Sequence, residues 1–263
     1  MKCCLTIAGA DSGGGAGVEA DLRTFHAYGV HGCTVHTAIT AQNPMGVSGI
    51  HYVPTEFVAA QLDAVLGVYD IAALKTGMLS DVATAEVIAD RFAAHPEIKK
   101  VIDPVMIATS GRRLTNVSAV DVVIGKMMPQ ATLITPNLPE AEELARRWCR
   151  NVNGQSAEEL ARILNSELGV AILVKGGHAE GGDAVDVLFD GREVYRYSMP
   201  RVREPASTHG TGCSFASAVA AELSQGRDLQ AAVAGAKRYV HDAIAGSYFV
   251  GSSCGVLGWA SRL

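Results

Sequence analysis

The sequence is poor in charged and aromatic residues, and it lacks the long apolar runs of membrane proteins. Charged residues make up 19% of the 263 residues and aromatic residues 6%. Lysine and arginine number 22 against 27 aspartates and glutamates, a net charge of −5, so no basic excess favours nucleic acid or an acidic membrane surface. No apolar run reaches the roughly 18 residues that a transmembrane helix needs. We therefore expect neither nucleic acid nor a membrane as a partner.

Cysteine is present, but not in a pattern that indicates metal binding or disulfides. None of the six cysteines forms a C-x-x-C pair, so we expect neither a zinc site nor a disulfide framework. His26, His31 and His36 are likewise not favoured as metal ligands. The short apolar run at the start is interrupted by Asp11, which predicts a buried strand rather than a leader peptide. A reducing compartment, the cytoplasm, is the expected location.

Hydrophobic residues make up 48% of the chain, and strand-like and helix-like segments alternate along it. Residues 5–8 predict a strand, and residues 16–28 a helix with Val18, Leu22 and Phe25 on one face. Further strands are predicted at 33–40, 71–74, 101–105, 132–135, 171–175, 185–189 and 194–199. Further helices are predicted at 56–68, 82–94, 117–128, 139–149, 156–168, 213–223 and 229–245. This alternation predicts an α/β fold, a mostly parallel central sheet covered on both faces, in one domain spanning residues 1–263.

Ligands of such sheets bind beyond the carboxyl ends of the strands. The loops that follow the predicted strands are rich in Asp, Asn, Lys and Gly, so a site is expected at that edge.

Two known sequence motifs do not account for this site. The G-x-S-x-G match at residues 251–255 has no acidic residue or histidine after it to complete a triad. Neither G-x-x-x-x-G-K-[ST] nor a G-x-G-x-x-G after a strand occurs.

The clearest local signal is the glycine-rich segment Thr208–Cys213, which precedes an apolar helix. Backbone N–H groups and the helix dipole at such a terminus favour an anion, although a turn that merely permits the chain to bend would look the same. The dipole contributes only about 0.3–2 kcal/mol, so phosphoryl transfer would also need Mg²⁺ and a lysine. Asp103, Glu140 and Asn137 are candidate metal ligands, and Lys175 is the candidate lysine.

Several segments together resemble the hydroxymethylpyrimidine/phosphomethylpyrimidine kinases of the thiamin pathway, members of the ribokinase-like superfamily. The resemblance rests on the segments at 8–17, 20–24, 40–43, 75–79, 103–106, 135–140, 175–178 and 208–213. It implies a ribokinase-like three-layer α/β/α sandwich. It also implies phosphorylation of 4-amino-5-hydroxymethyl-2-methylpyrimidine to its monophosphate and then to its diphosphate, with ATP and Mg²⁺ as cofactors.

The resemblance also implies a role for each matched residue. Gln42 would read the aminopyrimidine edge, since one amide offers both a donor and an acceptor, and Asp21 would lie near the substrate. The walls of the substrate pocket would come from Gly9, Ala16, Thr40, Met78 and Val105. Asp103, Asn137 and Glu140 would organise Mg²⁺, and Lys175 would meet the transferring phosphoryl group. The phosphate path would be lined by Thr208, Gly210, Thr211 and Gly212.

Cys213 stands where sugar kinases of the superfamily carry an aspartate as general base. A thiol at a helix N-terminus near cations is expected to have a lowered pKa, so its thiolate could take the proton of the substrate hydroxymethyl group. Ser207 and Glu19 depart from the residues frequent in the family, which leaves the fine geometry of the site open. Residues 108–114 resemble the family's flap over the site.

Two alternatives remain at this point. Pyridoxal kinases share the fold and the cysteine-containing loop, although Gln42 favours an aminopyrimidine. A pyrimidine-binding sensor without catalysis would be expected to have lost part of the phosphate machinery, which is present in full here. The sequence does not decide between a monomer and a homodimer.

Overall fold

The structure, a computed structural model, describes residues 1–79, 81–105, 117–149, 151–176, 182–251 and 254–259. Its strands are β1 Cys3–Asp11, β2 His31–Asn43, β3 Gly46–Tyr52, β4 Ile71–Thr76, β5 Lys99–Ile102, β6 Leu133–Ile134, β7 Ala171–Val174, β8 Asp183–Phe189, β9 Val194–Pro200, β10 Tyr248–Val250 and β11 Cys254–Val256. Its helices are α1 Gly17–Ala27, α2 Thr55–Leu66, α3 Val82–Ala94, α4 Val117–Val122, α5 Leu138–Ala145, α6 Ala157–Leu168, α7 Thr211–Ser224 and α8 Leu229–Ala245.

The central sheet has the strand order β3-β2-β1-β4-β5-β6-β7-β8-β9. The strands β2, β1, β4, β5, β6 and β7 run parallel, whereas β3, β8 and β9 run antiparallel to their neighbours. The strands predicted at 185–189 and 194–199 pair as an antiparallel hairpin, and its turn contains Gly191 in the left-handed region, at φ 94°. The prediction of a mostly parallel sheet is therefore confirmed, while β3 and the small β10–β11 hairpin were not predicted.

Helices cover both faces of the sheet, which confirms the three-layer α/β/α arrangement. On one face, the helices α2 to α6 pack into a core that includes Phe92, Leu144 and Leu164. On the other face, α1, α7 and α8 form a second core that includes Phe25 and Phe215. None of the helices in the described parts of the chain is both long and apolar enough to cross a bilayer.

Helix α1 differs from its predicted orientation in a way that matters for the site. Val18 and Phe25 are buried as expected, but Leu22 is 37% exposed and Asp21 is fully buried in its place. Asp21 follows Val18 by three residues and precedes Phe25 by four, so the three share one helical face. The helix thus directs a carboxylate into the interior.

Helix boundaries depend on local capping that the sequence revealed in part. The helix predicted from residue 156 begins with a capping box, in which the Ser156 hydroxyl accepts from the Glu159 amide and the Glu159 carboxylate accepts from the Ser156 amide. The single helix predicted over residues 117–128 is instead α4 followed by a π-helical turn, Val123–Met127, and a 3₁₀ turn, Met128–Gln130.

Candidate active site

A cavity of about 420 Å³ opens at the carboxyl edge of the parallel strands. Loops that follow different strands of the sheet meet there, as expected for an α/β fold. The predicted site residues that line this cavity are Gly9, Ala16, Thr40, Gln42, Met78, Asp103, Val105, Asn137, Glu140, Lys175, Thr208, Gly210, Thr211, Gly212 and Cys213. The structure therefore brings together every predicted site residue except Asp21. The predicted flap at 108–114 lies outside the described residues, as do Met106, Gly177 and His178 of the matched segments.

The amino end of α7 forms one wall of this cavity. Gly210 caps the helix with φ 85°, and a Cβ atom at this position would overlap the carbonyl oxygen of Gly15. Both the left-handed backbone and the close approach require glycine. The helix then begins at Thr211 and carries Cys213 in its first turn. This arrangement points the first backbone N–H groups of the helix, and its positive dipole end, toward the cavity.

Cys213 lies half-buried between this helix and the loop that precedes α1. Burial raises the pKa of its thiol above the ordinary value, and the charges of Asp21 and Asp103 act in the same direction. The charge of Lys75 and a hydrogen bond from the Gly17 amide oppose this effect without overcoming it. The expected lowering of this pKa is therefore wrong, because burial and the two carboxylates outweigh the charge of Lys75 and the Gly17 amide.

Lys175 follows β7 and forms an ion pair with Asp103, which follows β5. The Lys175 Nζ lies 2.8 Å from the Asp103 Oδ1, and the same oxygen accepts a hydrogen bond from the Thr135 hydroxyl at 3.2 Å. Burial acts to lower the pKa of Lys175, but the charges of Asp103 and Glu140 outweigh it and the pKa is raised. Lys175 is therefore a fixed positive charge, and a Cβ atom on Gly212 would lie 3.5 Å from its Nζ. This lysine therefore lies directly beside the amino end of α7.

Asn137 and Glu140 cap the amino end of α5. The Asn137 side chain accepts from the Glu140 amide, and the Glu140 carboxylate accepts from the Asn137 amide, both at 2.9 Å. This capping box orients both side chains beside Lys175, to which Asn137 is joined by a parallel β-bridge. Sequence reasoning proposed these two residues as metal ligands without detecting their capping role.

The carboxylates at this wall form a donor set that suits Mg²⁺. Asp103 is 3% exposed and Glu140 9% exposed, and both line the cavity together with the amide of Asn137. Mg²⁺ prefers oxygen ligands and is commonly bound by one or two carboxylates together with water and substrate phosphates. The residues present therefore fit a magnesium ion that arrives with a nucleotide.

Asp21 lies beneath the cavity rather than in its wall. It is fully buried and forms an ion pair with Lys75, whose Nζ is 2.9 Å from the Asp21 Oδ2. The hydroxyls of Thr6 and Ser217 donate to the same carboxylate at 2.6 and 2.7 Å. Asp21, which was predicted to lie near the substrate, therefore does not line the cavity, and its carboxylate instead supports Lys75, which does.

Two cavity residues, Asp11 and His209, were not identified from the sequence although both lie in matched segments. Asp11 accepts hydrogen bonds from the amides of Gly13, Gly15 and Ala16 at 2.8, 3.1 and 2.9 Å. The His209 Nε2 lies 3.2 Å from the Asp11 Oδ2. Burial acts to raise the pKa of Asp11, but the hydrogen bonds from His209 and from the amides of Gly13 and Ala16 lower it below its usual range. A charged Asp11 therefore holds the glycine-rich loop in shape.

Gln42 is connected to this group. Its Nε2 lies 3.4 Å from the His209 Nε2, and its Oε1 accepts a hydrogen bond from the Thr40 hydroxyl at 3.3 Å.

Glu19 and Ser207, the two residues that depart from the family pattern, also form hydrogen bonds near Gln42. Glu19 accepts from the Asp11 amide at 2.7 Å, and Ser207 accepts from the His209 amide at 3.1 Å. Both substituted side chains thus stabilise the loops that surround Gln42.

A second, largely apolar part of the cavity was missed entirely. It is formed by β8, β9, the loop after β9, and α8, and its lining residues include Ala184, Met199, Pro200, Val202, Pro205, Val240 and Ile244. Beside it, Asp186 accepts from the Gly176 amide at 2.9 Å and from the Lys237 ammonium at 2.8 Å. Apolar residues in ordinary strands and helices carry no local motif, so nothing in the sequence distinguished them from core.

Comparison with known proteins places this geometry among vitamin kinases. The family model described as Phosphomethylpyrimidine kinase matches residues 11–258. A hydroxymethylpyrimidine/phosphomethylpyrimidine kinase of Rhizobium meliloti is 45% identical over 240 residues, which cover 91% of this chain and 89% of that protein. The thiamine biosynthesis bifunctional protein ThiED of Geobacter sulfurreducens is 48% identical over 91% of this chain, but this chain spans only 48% of its length.

Among solved structures, an ADP complex of Bacillus subtilis pyridoxal kinase superposes with a TM-score of 0.88. The two sequences are 33% identical, and the match covers 99% of this chain and 98% of that one. The sheet and its helices are therefore shared with a kinase that was solved as an ADP complex.

Proposed function

The chain belongs to the phosphomethylpyrimidine kinase family, and we propose that it phosphorylates 4-amino-5-hydroxymethyl-2-methylpyrimidine, first to the monophosphate and then to the diphosphate. ATP is the donor, and the fold is ribokinase-like. The observation that carries the proposal is one cavity that joins an amide-lined end at Gln42 to a phosphate-binding end at Cys213, Lys175 and Asp103.

The amide-lined end suits a flat aminopyrimidine. Gln42 offers a donor and an acceptor in one side chain, which matches a ring nitrogen beside an exocyclic amine. Its partner Thr40 limits its rotation. Gly9 lets the Met78 side chain lie close to β1, since a Cβ atom at Gly9 would come within 3.2 Å of the Met78 sulfur. We assign substrate recognition to these residues, with Ala16 and Val105 completing the walls.

The reacting hydroxymethyl group would lie against Cys213. In the transfer step the Cys213 thiolate accepts the hydroxyl proton, the substrate oxygen forms a bond to the γ-phosphorus, and the bond from that phosphorus to the bridging oxygen breaks. ADP leaves with the electron pair of that bond. Because the thiol pKa is raised, the basic form is scarce near neutral pH and becomes more abundant as the pH rises.

Lys175 and the first amides of α7 would stabilise the phosphoryl group during transfer. The ammonium group of Lys175 is held in place by Asp103 and lies next to the amino end of α7. It can therefore stabilise the negative charge that develops on the transferred phosphoryl group. Asp103, Asn137 and Glu140 would hold Mg²⁺, which when bound offsets the charge of the ATP phosphates. Thr208, Gly210, Thr211 and Gly212 would line the phosphate path.

The apolar part of the cavity suits the purine of the nucleotide. A flat heteroaromatic base gains from contact with aliphatic side chains such as Met199, Val240 and Ile244. This part lies on the β8–β9 and α8 side, and the phosphate-binding end of α7 lies between it and Gln42. Nucleotide and pyrimidine would thus approach the transfer centre from opposite ends.

An assay of phosphate transfer from ATP to each candidate substrate, catalysed by the purified protein, tests this proposal. Phosphorus NMR should show conversion of the hydroxymethylpyrimidine to its monophosphate and of the monophosphate to its diphosphate. Pyridoxal should be phosphorylated with a lower kcat/KM. A higher kcat/KM for pyridoxal would favour the pyridoxal kinase alternative. Tight pyrimidine binding without any transfer would instead establish a sensor.

The proposed partners are limited to these small molecules, without nucleic acid or membrane. We propose the cytoplasm as the location because ATP is available there. The chain is also expected to form a homodimer, and analytical ultracentrifugation would measure its oligomeric state.

A further inference from the structure

Three potential metal ligands meet at the edge of the sheet opposite the cavity. Cys3 is the first residue of β1, and His31 and Cys33 lie at the start of β2. The parallel pairing places Cys3 beside His31 and Leu5 beside Cys33. His31 and Cys33 are two residues apart on one strand and therefore share a face of the sheet. The Cys3 and Cys33 sulfur atoms lie 3.5 Å apart on that face.

The spacing of these groups suits a tetrahedral metal ion. The two sulfurs and a ring nitrogen of His31 all lie within 4.8 Å of one another. A zinc ion bonded to both sulfurs at about 2.3 Å would have a sulfur–zinc–sulfur angle of about 99°, near the tetrahedral value. Within the parts of the chain that the structure describes, this is the one group of three such ligands with this spacing.

The surroundings combine soft ligands with access from solvent. Cys3 and Cys33 are each 7% exposed, whereas His31 is exposed and stacks on Tyr69 with ring centroids 5.6 Å apart. An ion can therefore enter along the imidazole. Asp70 adds negative charge close to Cys3, which attracts a cation. With three protein ligands, the fourth position is left to water.

We propose that Cys3, His31 and Cys33 bind a thiophilic divalent cation of the zinc class. Thiolate and imidazole together select such an ion over Mg²⁺, which prefers oxygen. The site is separate from the catalytic cavity, since its ligands lie at the amino ends of β1 and β2 while the cavity lies at their carboxyl ends. From the sequence we expected neither a zinc site nor a metal-binding role for His31, because the two cysteines are 30 positions apart and form no metal-binding motif.

The same two thiols could instead form a disulfide, which is a competing outcome. The sulfurs would have to approach from 3.5 Å to about 2.05 Å, and the bond would consume both metal ligands. A reductant that does not itself bind metal, such as a phosphine, keeps the thiols available during the test.

Cobalt(II) and zinc(II) binding to the reduced, metal-free chain tests the proposal. One equivalent of cobalt should give thiolate charge-transfer absorption and the intense visible bands of a tetrahedral site, and zinc should abolish both. Zinc should also raise the thermal unfolding temperature, because it binds only the folded arrangement. Cys3→Ser, Cys33→Ser and His31→Ala should each weaken binding at least tenfold.

Two matched controls locate the site. Cys4→Ala changes the adjacent residue of β1, whose thiol faces the opposite side and donates to the Ala220 carbonyl oxygen at 3.7 Å. Cys213→Ser removes the thiol of the cavity. Both should bind cobalt as the unaltered chain does. Because His31 is exposed, His31→Ala keeps the test valid if a cysteine variant fails to fold. Absence of the cobalt spectrum, its persistence in Cys3→Ser and Cys33→Ser, or its loss only in Cys213→Ser would overturn the proposal, as would a Cys3–Cys33 disulfide that resists the phosphine.

Discussion

Cys213 experiences opposing influences that only the folded chain reveals. Burial and the charges of Asp21 and Asp103 favour the thiol, whereas the charge of Lys75 and the Gly17 amide favour the thiolate, and the first group prevails. The sequence predicted only that Cys213 lies at a helix terminus, since helix position is a local property. Burial depends on how α7 packs against the loop before α1, which no local pattern records.

The pH dependence of the kinase follows from this raised pKa. A base whose pKa is raised is mostly protonated near neutrality, so kcat/KM should increase as the pH rises through the alkaline range. Cys213→Ala should lower kcat by about 10²–10⁴-fold and remove that increase. Cys213→Asp should retain more activity than the alanine variant, with a profile that is flat above neutrality because a carboxylate is already ionised there.

Initial rates across pH for the three proteins provide the measurement. Isothermal titration with the pyrimidine is the control, since binding should survive in both variants. Near-native turnover of folded Cys213→Ala would contradict the assignment of Cys213 as the base and would show that its thiol only contributes to packing.

Gln42 should control which substrate is accepted. Gln42→Ala leaves polar atoms of the ring unpaired in an enclosed pocket, which costs about 1–3 kcal/mol. We expect kcat/KM for the pyrimidine to fall roughly 10–100-fold and the slow hydrolysis of ATP alone to stay unchanged. Ser48→Ala, on the exposed neighbouring strand β3, is the matched control. Unaltered pyrimidine kinetics in Gln42→Ala would remove Gln42 from the site.

Lys175 should affect the transfer step more than nucleotide binding. Its charge is most useful where negative charge shifts, so Lys175→Met should lower kcat strongly while the Kd for ATP changes less. Lys126→Met, which breaks the exposed pair with Glu86, should leave both quantities unchanged. Single-turnover rates and equilibrium titration separate the two effects, and a native kcat in Lys175→Met would exclude the assignment.

At the scale of secondary-structure elements, the buried Lys75–Asp21 pair joins four of them. Lys75 comes from β4 and Asp21 from α1, while Thr6 on β1 and Ser217 on α7 donate to the carboxylate. Removing one partner leaves an uncompensated buried charge, which typically costs 3–5 kcal/mol. The pair therefore fixes these elements relative to one another directly beneath the cavity.

Unfolding in urea should show this coupling. Lys75→Met and Asp21→Asn should each lower the free energy of unfolding by about 3–5 kcal/mol. The double variant should lose less than the sum, because neither charge is left alone and the hydroxyls of Thr6 and Ser217 still have an acceptor. Lys126→Met, at an exposed pair, should cost at most about 1 kcal/mol. Additive losses in the double variant would contradict the coupling.

The start of α7 offers a second test at this scale. Gly210 and Gly226 both have φ 85°, but an added Cβ overlaps the Gly15 carbonyl at Gly210 and meets nothing within 4 Å at Gly226. Both alanine substitutions should lower the free energy of unfolding by about 1–2 kcal/mol, because a residue with a Cβ atom is strained in the left-handed conformation. Only Gly210→Ala should also displace the helix terminus and lower kcat at least tenfold. Equal kcat values for the two variants would show that the close approach to Gly15 is not needed for transfer.

At the scale of the whole molecule, the sequence predicted the layers and much of the cavity. Continuous apolar strands and amphipathic helices are local patterns, and they identified the parallel sheet and its two covered faces. Strand β3 escaped prediction because Gly46 and Gly49 weaken its strand signal, so pairing with β2 determines it. The apolar part of the cavity escaped prediction for a related reason, since Met199 and Ile244 come to line one cavity only through the tertiary fold.

Helix α7 has a consequence for how the chain is made. Every described side chain from Ser214 to Ser224 is buried, because the helix lies between the sheet and its neighbours α1 and α8. Synthesis reaches this helix only after all nine strands of the main sheet have been completed. A nascent chain that has emerged through β9 therefore carries one apolar face of its sheet largely uncovered. Ribosome-bound intermediates of this length should be the form that chaperones bind. The chaperone should dissociate once α7 and α8 have emerged and cover this face.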